Sequence, residues 1–261
     1  YASINKMPDY GFSPDAGFPV INIEKGGLNL KLSKVTGGED GAELDHPFFF
    51  CTHRENAVLL PEDERFKAVY GEWGTGMFGY VSADGINGFP GTLDVAVKYT
   101  LTDENELKLE YDAVSDNKTV INLTNHAYFN LGGYNSGSIL DHLIRINADK
   151  YTPVDKISIP TGEIRSVKGT AFDFTTPKKI GKEIGADDEQ LIMCRGYDHN
   201  WCLNNGGSFA KIATLTGEKT GLSMEVYTDL PGVQIYTGNF MTAPHPFFDQ
   251  IPQQKNEAIA M

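Results

Sequence analysis

The chain has 261 residues, with 22 Lys and Arg against 35 Asp and Glu and a formal net charge of −13. An acidic balance of that size repels phosphodiester backbones, which argues against nucleic acid as a partner and fits a neutral ligand. Hydrophobic residues at 40%, 28 glycines and 13 prolines describe a turn-rich globular chain, and no apolar run approaches the length that spans a bilayer.

Taken in chain order, the first 75 residues offer strands at 19–23 and 28–32 and a charge run at Glu62-Asp-Glu-Arg65. From Leu93 the spacing is that of strands. Leu93, Val95, Val97, Tyr99 and Leu101 alternate with Asp94, Ala96, Lys98 and Thr100, the period of a pleated strand with one wet face. Thr102-Asp-Glu-Asn105 is a turn cluster, and beyond it Leu107, Leu109 and Tyr111 alternate with Lys108, Glu110 and Asp112, which predicts a hairpin. Further strands are expected at 122–131, 143–146, 210–216, 222–228 and 233–236. The only helical pattern is a weak one at 178–184, interrupted by Gly181. Many strands, few helices and no internal repeat or linker predict an all-β chain folded as one large antiparallel β-sandwich over 1–261.

Three cysteines, Cys51, Cys194 and Cys202, cannot all pair within one chain, and none has zinc-ligand spacing. Reduced thiols in the cytoplasm are the simplest reading. No basic-then-apolar leader opens the chain. Position 1 is Tyr rather than Met, so the sequence is read as part of a longer frame. No P-loop, dinucleotide fingerprint or metal constellation is present, and neither cofactor nor metal is expected.

The segment Asn122-Leu-Thr-Asn-His-Ala-Tyr-Phe-Asn-Leu131 is the most informative. Val120, Asn122, Thr124 and His126 point one way and Ile121, Leu123, Asn125 and Ala127 the other. A row of amides, a hydroxyl and an imidazole is poor core material, because each buried donor or acceptor needs a partner. A polar ligand would supply partners; a solvated surface strand is the competing reading.

This segment resembles the strand that carries the acid histidine in the aldose 1-epimerases, or galactose mutarotases. Asp84-Gly-Ile-Asn-Gly-Phe-Pro-Gly91, Tyr151-Thr-Pro-Val-Asp155, Pro160-Thr-Gly-Glu163, Phe172-Asp-Phe174, Tyr197-Asp-His-Asn200 and Pro231-Gly-Val-Gln-Ile-Tyr-Thr-Gly-Asn239 resemble further landmarks of that family, in its order. The resemblance runs over about residues 76–241. It implies the galactose mutarotase-like β-supersandwich and interconversion of the α and β anomers of galactose, glucose or a related aldose.

Anomer interconversion opens the hemiacetal ring, rotates about C1–C2 and closes on the other face. A base takes the C1 hydroxyl proton while an acid protonates the ring oxygen. Histidine suits the acid, since its unperturbed pKa of roughly 6.5 keeps both states accessible. The resemblance assigns that role to His126. It makes Asp198 a carboxylate that accepts from sugar hydroxyls and Gln234 an amide that donates and accepts towards the sugar. A turn aspartate and an outward-facing amide are the competing readings of these two. Ala127 and Tyr128 adjoin His126 as wall of the site. Trp73 and Trp201 are candidates for stacking on a sugar face, with a core tryptophan the commoner case. His199 is placed to orient the loop around Asp198, and His142 and His245 are expected to be solvated.

Some of the family pattern is not found. Its N-terminal Asn-Arg pair and His-Gly-Gly segment are not legible, and Cys51-Thr-His-Arg-Glu-Asn56 has similar residue types in another order. The family draws its base from a glutamate after a short apolar strand. Residues 258–261 resemble that strand, so the expectation is a polypeptide continuing past Met261 with that glutamate. Glu225 is no substitute, because it alternates with Met224 and Val226 and should face solvent. The expected protein is thus an isomerase of carbohydrate metabolism, a monomer or weak dimer whose partner is a small aldose. A non-catalytic sugar-binding sandwich and a hexose-6-phosphate 1-epimerase are the alternatives.

Overall fold

A computed structural model describes residues 22–24, 27–29, 66–70, 75–102, 104–133, 135–241 and 254–261. The chain divides into two compact units, Tyr1–Thr124 and Asn125–Met261. In the first, β1 (Asn22–Glu24) pairs with β2 (Gly27–Asn29) as a short hairpin. The rest of the two strands expected there lies outside the described residues, as do Arg65, Cys51, Trp73 and His245. Then β3 (Phe66–Tyr70), β4 (Thr75–Ser82), β5 (Leu93–Leu101) and β6 (Leu107–Ser115) form an antiparallel meander in that order. The β4–β5 connection holds the landmark at 84–91, where the Asp84 carboxylate accepts the Gly91 N–H at 2.6 Å. Gly91 has φ +84 and a Cβ there would meet Asn117 Cβ and Ser115 Oγ at 2.8 Å each, so that landmark glycine has a backbone reason.

The second unit is a sandwich of two antiparallel sheets. Its elements are β7 (Tyr128–Phe129), β8 (Leu143–Ile146), β9 (Lys150–Thr152), β10 (Arg165–Ser166), β11 (Lys178–Lys179), α1 (Glu189–Cys194), β12 (Asp198–Cys202), β13 (Ala210–Thr216), β14 (Ser223–Thr228), β15 (Gly232–Tyr236) and β16 (Ile259–Ala260). One sheet has the order β10-β9-β12-β15-β16-β7 and the other β11-β8-β13-β14. Between them lies a single core to which β8 and β13 give Ile144, Ile146, Ile212 and Leu215, and β9, β12, β15 and β16 give Tyr151, Trp201, Ile235 and Ile259. Aromatic residues dominate its centre. Tyr151 stacks flat on Phe172 at 4.2 Å, and the Trp201 indole N–H donates to the Phe172 carbonyl at 3.0 Å, so the large apolar surface is buried without an orphaned donor.

The strands expected at 143–146 and 210–216 are found with those bounds, and the two after them are shifted by one residue at one end. Three expectations change. The 178–184 segment is the edge strand β11 followed by a 3-10 turn at Ile180–Lys182, because Ile180 N–H and Gly181 N–H donate across to the carbonyls of His142 and Leu140 rather than along a helix. Among the described residues the α-helix is instead Glu189–Cys194, capped by Asp188, whose carboxylate accepts from Gln190 N–H and Leu191 N–H. The 122–131 segment is regular strand only at Tyr128–Phe129. Among the described residues no helix is long and apolar enough to cross a membrane.

Trp201 is fully buried in this aromatic centre. Truncation to Ala should lower unfolding free energy by about 3–5 kcal/mol, read from urea midpoints at constant slope. A loss below about 1 kcal/mol would mean that the two sheets do not close on this residue.

Candidate functional site

Strand pleating gives the six-stranded sheet two unlike faces. Along β12 the dry face takes His199 and Trp201, and along β15 it takes Val233 and Ile235, all buried. The opposite face takes Asp198, Asn200 and Cys202 from β12 and Gln234 and Tyr236 from β15. Register then assembles a row across four strands: Asp198 lies opposite Tyr236, Tyr236 opposite Ala260, and Ala260 opposite Tyr128. Residues directly opposite in an antiparallel pair share a face. Residues more than a hundred positions apart in sequence therefore meet on one surface.

Three rings and a carboxylate follow that row. The His126 imidazole stacks on Tyr128 at 5.0 Å, and Tyr128 meets Tyr236 edge-on at 6.2 Å. The Tyr236 hydroxyl accepts Phe240 N–H at 2.9 Å and so keeps its own proton for donation. Gln234 Nε2 donates to Asp198 Oδ1 at 2.8 Å, which leaves the amide oxygen and the second carboxylate oxygen for other partners. Partial burial raises the Asp198 pKa, opposed by the Gln234 hydrogen bond and then by the His126 imidazole. Burial, with Tyr236 and Asp198 beside it, pushes the Tyr128 phenol up to about 12. Ala127 alternates with its neighbours, half-buried between exposed His126 and exposed Tyr128, and its N–H donates to Asn125 Oδ1 at 2.9 Å.

Of the residues singled out by sequence, His126, Tyr128, Asp198 and Gln234 are thus brought onto one face. Others are elsewhere. Trp201 belongs to the core. His142, expected to be solvated, is buried; its Nε2 accepts Leu131 N–H at 3.0 Å, a role that desolvates the ring and lowers its pKa. Glu225 faces outward and is held by Lys211 Nζ and the Tyr227 hydroxyl. Among the described residues no group of three His, Cys, Asp or Glu could hold a metal ion.

Sequence reasoning did not single out Tyr236, although it lies inside a quoted landmark, nor the buried amides behind it. Asn239 Nδ2 donates to the carbonyls of Cys194 and Tyr197 at 2.9 Å each, and its Oδ1 accepts the Thr237 hydroxyl at 2.7 Å. Asn256 Nδ2 donates to the Thr237 carbonyl at 2.6 Å. Together they tie the end of β15 to the approach to β12. Gly196 has φ +143, and a Cβ there would collide with the Asn239 amide.

Comparisons with known proteins identify the family. The profile of the aldose 1-epimerase family matches residues 74–259, and the chain belongs to that family. It is 48% identical over 164 residues to the galactose mutarotase of Bos taurus, covering 63% of this chain and 46% of that protein. It is 46% identical to the human galactose mutarotase with the same coverage, and 42% identical over 166 residues to the aldose 1-epimerase of Escherichia coli K12, covering 63% of this chain and 47% of that one. The chain spans about half the length of these relatives. Among solved structures, an aldose epimerase homologue from C. elegans aligns with TM-score 0.64 and 29% identity over 75% of this chain and 57% of that one. The galactose 1-epimerase of Lactobacillus acidophilus aligns with TM-score 0.63 over 96% of this chain and 87% of that one; at 24% identity it speaks for the fold alone.

His199, on the dry face beside Asp198, is fully buried, and desolvation lowers its pKa from 6.5 to about 4 against the pull of Asp188. The unfolded chain therefore takes up a proton as pH falls through 6.5, while the folded one does not until about 4. Stability supplied by the neutral ring is present above pH 6.5 and is lost progressively down to about 4. Wild-type urea midpoints should fall more steeply across that window than those of His199→Asn. Parallel curves would show that His199 is not held neutral.

Proposed function

We propose that this protein is an aldose 1-epimerase that interconverts the α and β anomers of galactose, glucose or a related aldose. The observation that carries the proposal is the row on the outer face of the six-stranded sheet, where Asp198 and Gln234 present unspent acceptors beside the stacked His126 and Tyr128. Asp198 accepts from sugar hydroxyls, and Gln234, already donating to that carboxylate, orients it and offers its own oxygen. An ionised carboxylate bonds two hydroxyls at once, which suits a polyol. His126 protonates the ring oxygen as the C1–O bond breaks and recovers the proton on closure, while a second group removes the C1 hydroxyl proton. Tyr128 holds the imidazole plane, and Ala127 completes the wall next to it.

The same reading makes the whole chain one mutarotase-like sandwich, supported by the 96% coverage in the Lactobacillus comparison. It also places the protein in cytoplasmic hexose metabolism as a monomer or weak dimer, without nucleic-acid or membrane partners. The free thiols Cys194 and Cys202 support a reducing compartment, and the net charge of −13 speaks against a nucleic-acid partner.

Polarimetry of freshly dissolved α-galactose and α-glucose tests the proposal: relaxation should accelerate in proportion to protein concentration. Relaxation at the spontaneous rate would sink it, and calorimetry would then separate a sugar-binding module from a protein that does not bind sugar. His126→Ala should lower kcat by about two to four orders of magnitude with KM changed little. Wild-type turnover in that variant would remove His126 from the chemistry.

A further inference from the structure

Strand β9 ends at Thr152, opposite Asn200, so β12 loses its neighbour on that side two residues before its own start. At that point side chains take over from backbone. The Asp198 N–H donates to Nδ1 of the adjacent His199 at 3.1 Å. Nε2 of the same ring lies 3.2 Å from Gln190 Oε1. With Nδ1 accepting, a neutral imidazole carries its proton on Nε2 and donates it to Gln190. The Gln190 amide also accepts Val154 N–H at 2.7 Å and donates to the Val154 carbonyl at 2.9 Å, the two bonds a neighbouring strand would have made. Phe172 and Tyr151 meet the imidazole edge-on at 4.8 and 6.0 Å and fix its plane.

We propose that His199 is a positioning residue for the sugar site: it anchors the Asp198 backbone through Nδ1 and, through Nε2 and Gln190, fastens that anchor to helix α1 and to the end of β9. The proposal rests on the reading of Asp198 as a sugar-binding carboxylate. Asp198 is then held twice, its carboxylate by Gln234 and its peptide by His199. Losing the second hold lets the carboxylate swing about its own backbone without disturbing the chemistry at His126.

Two substitutions divide the ring's two nitrogens. In His199→Asn the amide oxygen stands where Nδ1 was, and in His199→Gln the amide reaches where Nε2 was. His199→Gln should raise KM for galactose about tenfold with kcat within about twofold, whereas His199→Asn should recover KM to within about threefold. Equal KM values in the two variants would overturn the proposal, because a merely structural role does not distinguish the nitrogens. Amide hydrogen exchange gives a readout that needs no activity: the Asp198 amide should be protected in the wild type and in His199→Asn and exchange at least about tenfold faster in His199→Gln. Equal exchange in all three would likewise overturn it. Should His199→Gln not fold, imidazole nitrogen NMR of the wild type decides, since a proton on Nδ1 rather than Nε2 contradicts the anchor. Asp198→Asn separates the premises: if that variant keeps the wild-type KM while exchange follows the stated pattern, the sugar-binding reading of Asp198 fails and the backbone anchor stands.

Discussion

The two-residue period of a pleated strand is the constraint on which the second unit depends. Along β12 it sends His199 and Trp201 into the core and leaves Asp198 and Asn200 on the opposite face; along β15 it does the same with Ile235 and Gln234. A slip of one residue in either strand would bury a carboxylate or an amide and expose an aromatic or aliphatic side chain. Burial of the apolar set therefore fixes the register, and the register fixes where Asp198, Tyr236 and Tyr128 stand relative to one another. The face that carries the candidate site is held in place by the face that does not.

Buried polar groups are the second part of that support. His199, Asn239, Asn256, Thr237 and Gln190 are all buried, and each would cost about 1–3 kcal/mol if left unpaired. Each is paired, with backbone groups near the strand ends where the ladder stops and with one another. Thr237, Asn239 and Asn256 close the end of β15, and Gln190 stands in for a strand beside Val154. These bonds fall where the sheet would otherwise fray, next to Asp198 and Tyr236. A site on strand ends gains accessible side chains, and side-chain amides restore the order that ladder bonds no longer supply.

The long alternating strands were legible because seven to nine residues are enough to display a period, as in β5 and β13. Strands of two residues, such as β7, β11 and β16, display none; they exist because a neighbour's unpaired edge recruits them. The misplaced helix has the same origin. Residues 178–184 carry helical-looking spacing, yet the Ile180 and Gly181 N–H groups are taken by the carbonyls of His142 and Leu140, whereas the six-residue α1 is too short to display a 3.6-residue period and offers only Asp188 as a cap. At the site, Asp198 and Gln234 were marked by the family resemblance alone, and only His126 stood out from its own segment, where a row of polar side chains calls for partners. Tyr236 did not, since an aromatic on a strand reads as core by default, and only the register shows that it faces the same way as Asp198. His142 was misjudged because its partner, the Leu131 amide, is a loop contact that no local pattern announces.

On the function proposed above, an aldose sits on the outer face of the six-stranded sheet. Titrating the isotopically labelled protein with galactose and following backbone amides together with the Gln234 side-chain amide by two-dimensional NMR tests it most directly. Shifts should concentrate at residues 126–128, 198–200 and 234–236 and saturate together with the Gln234 side-chain signal. Shifts confined to the β11-β8-β13-β14 sheet, or none at all at saturating sugar, would contradict it.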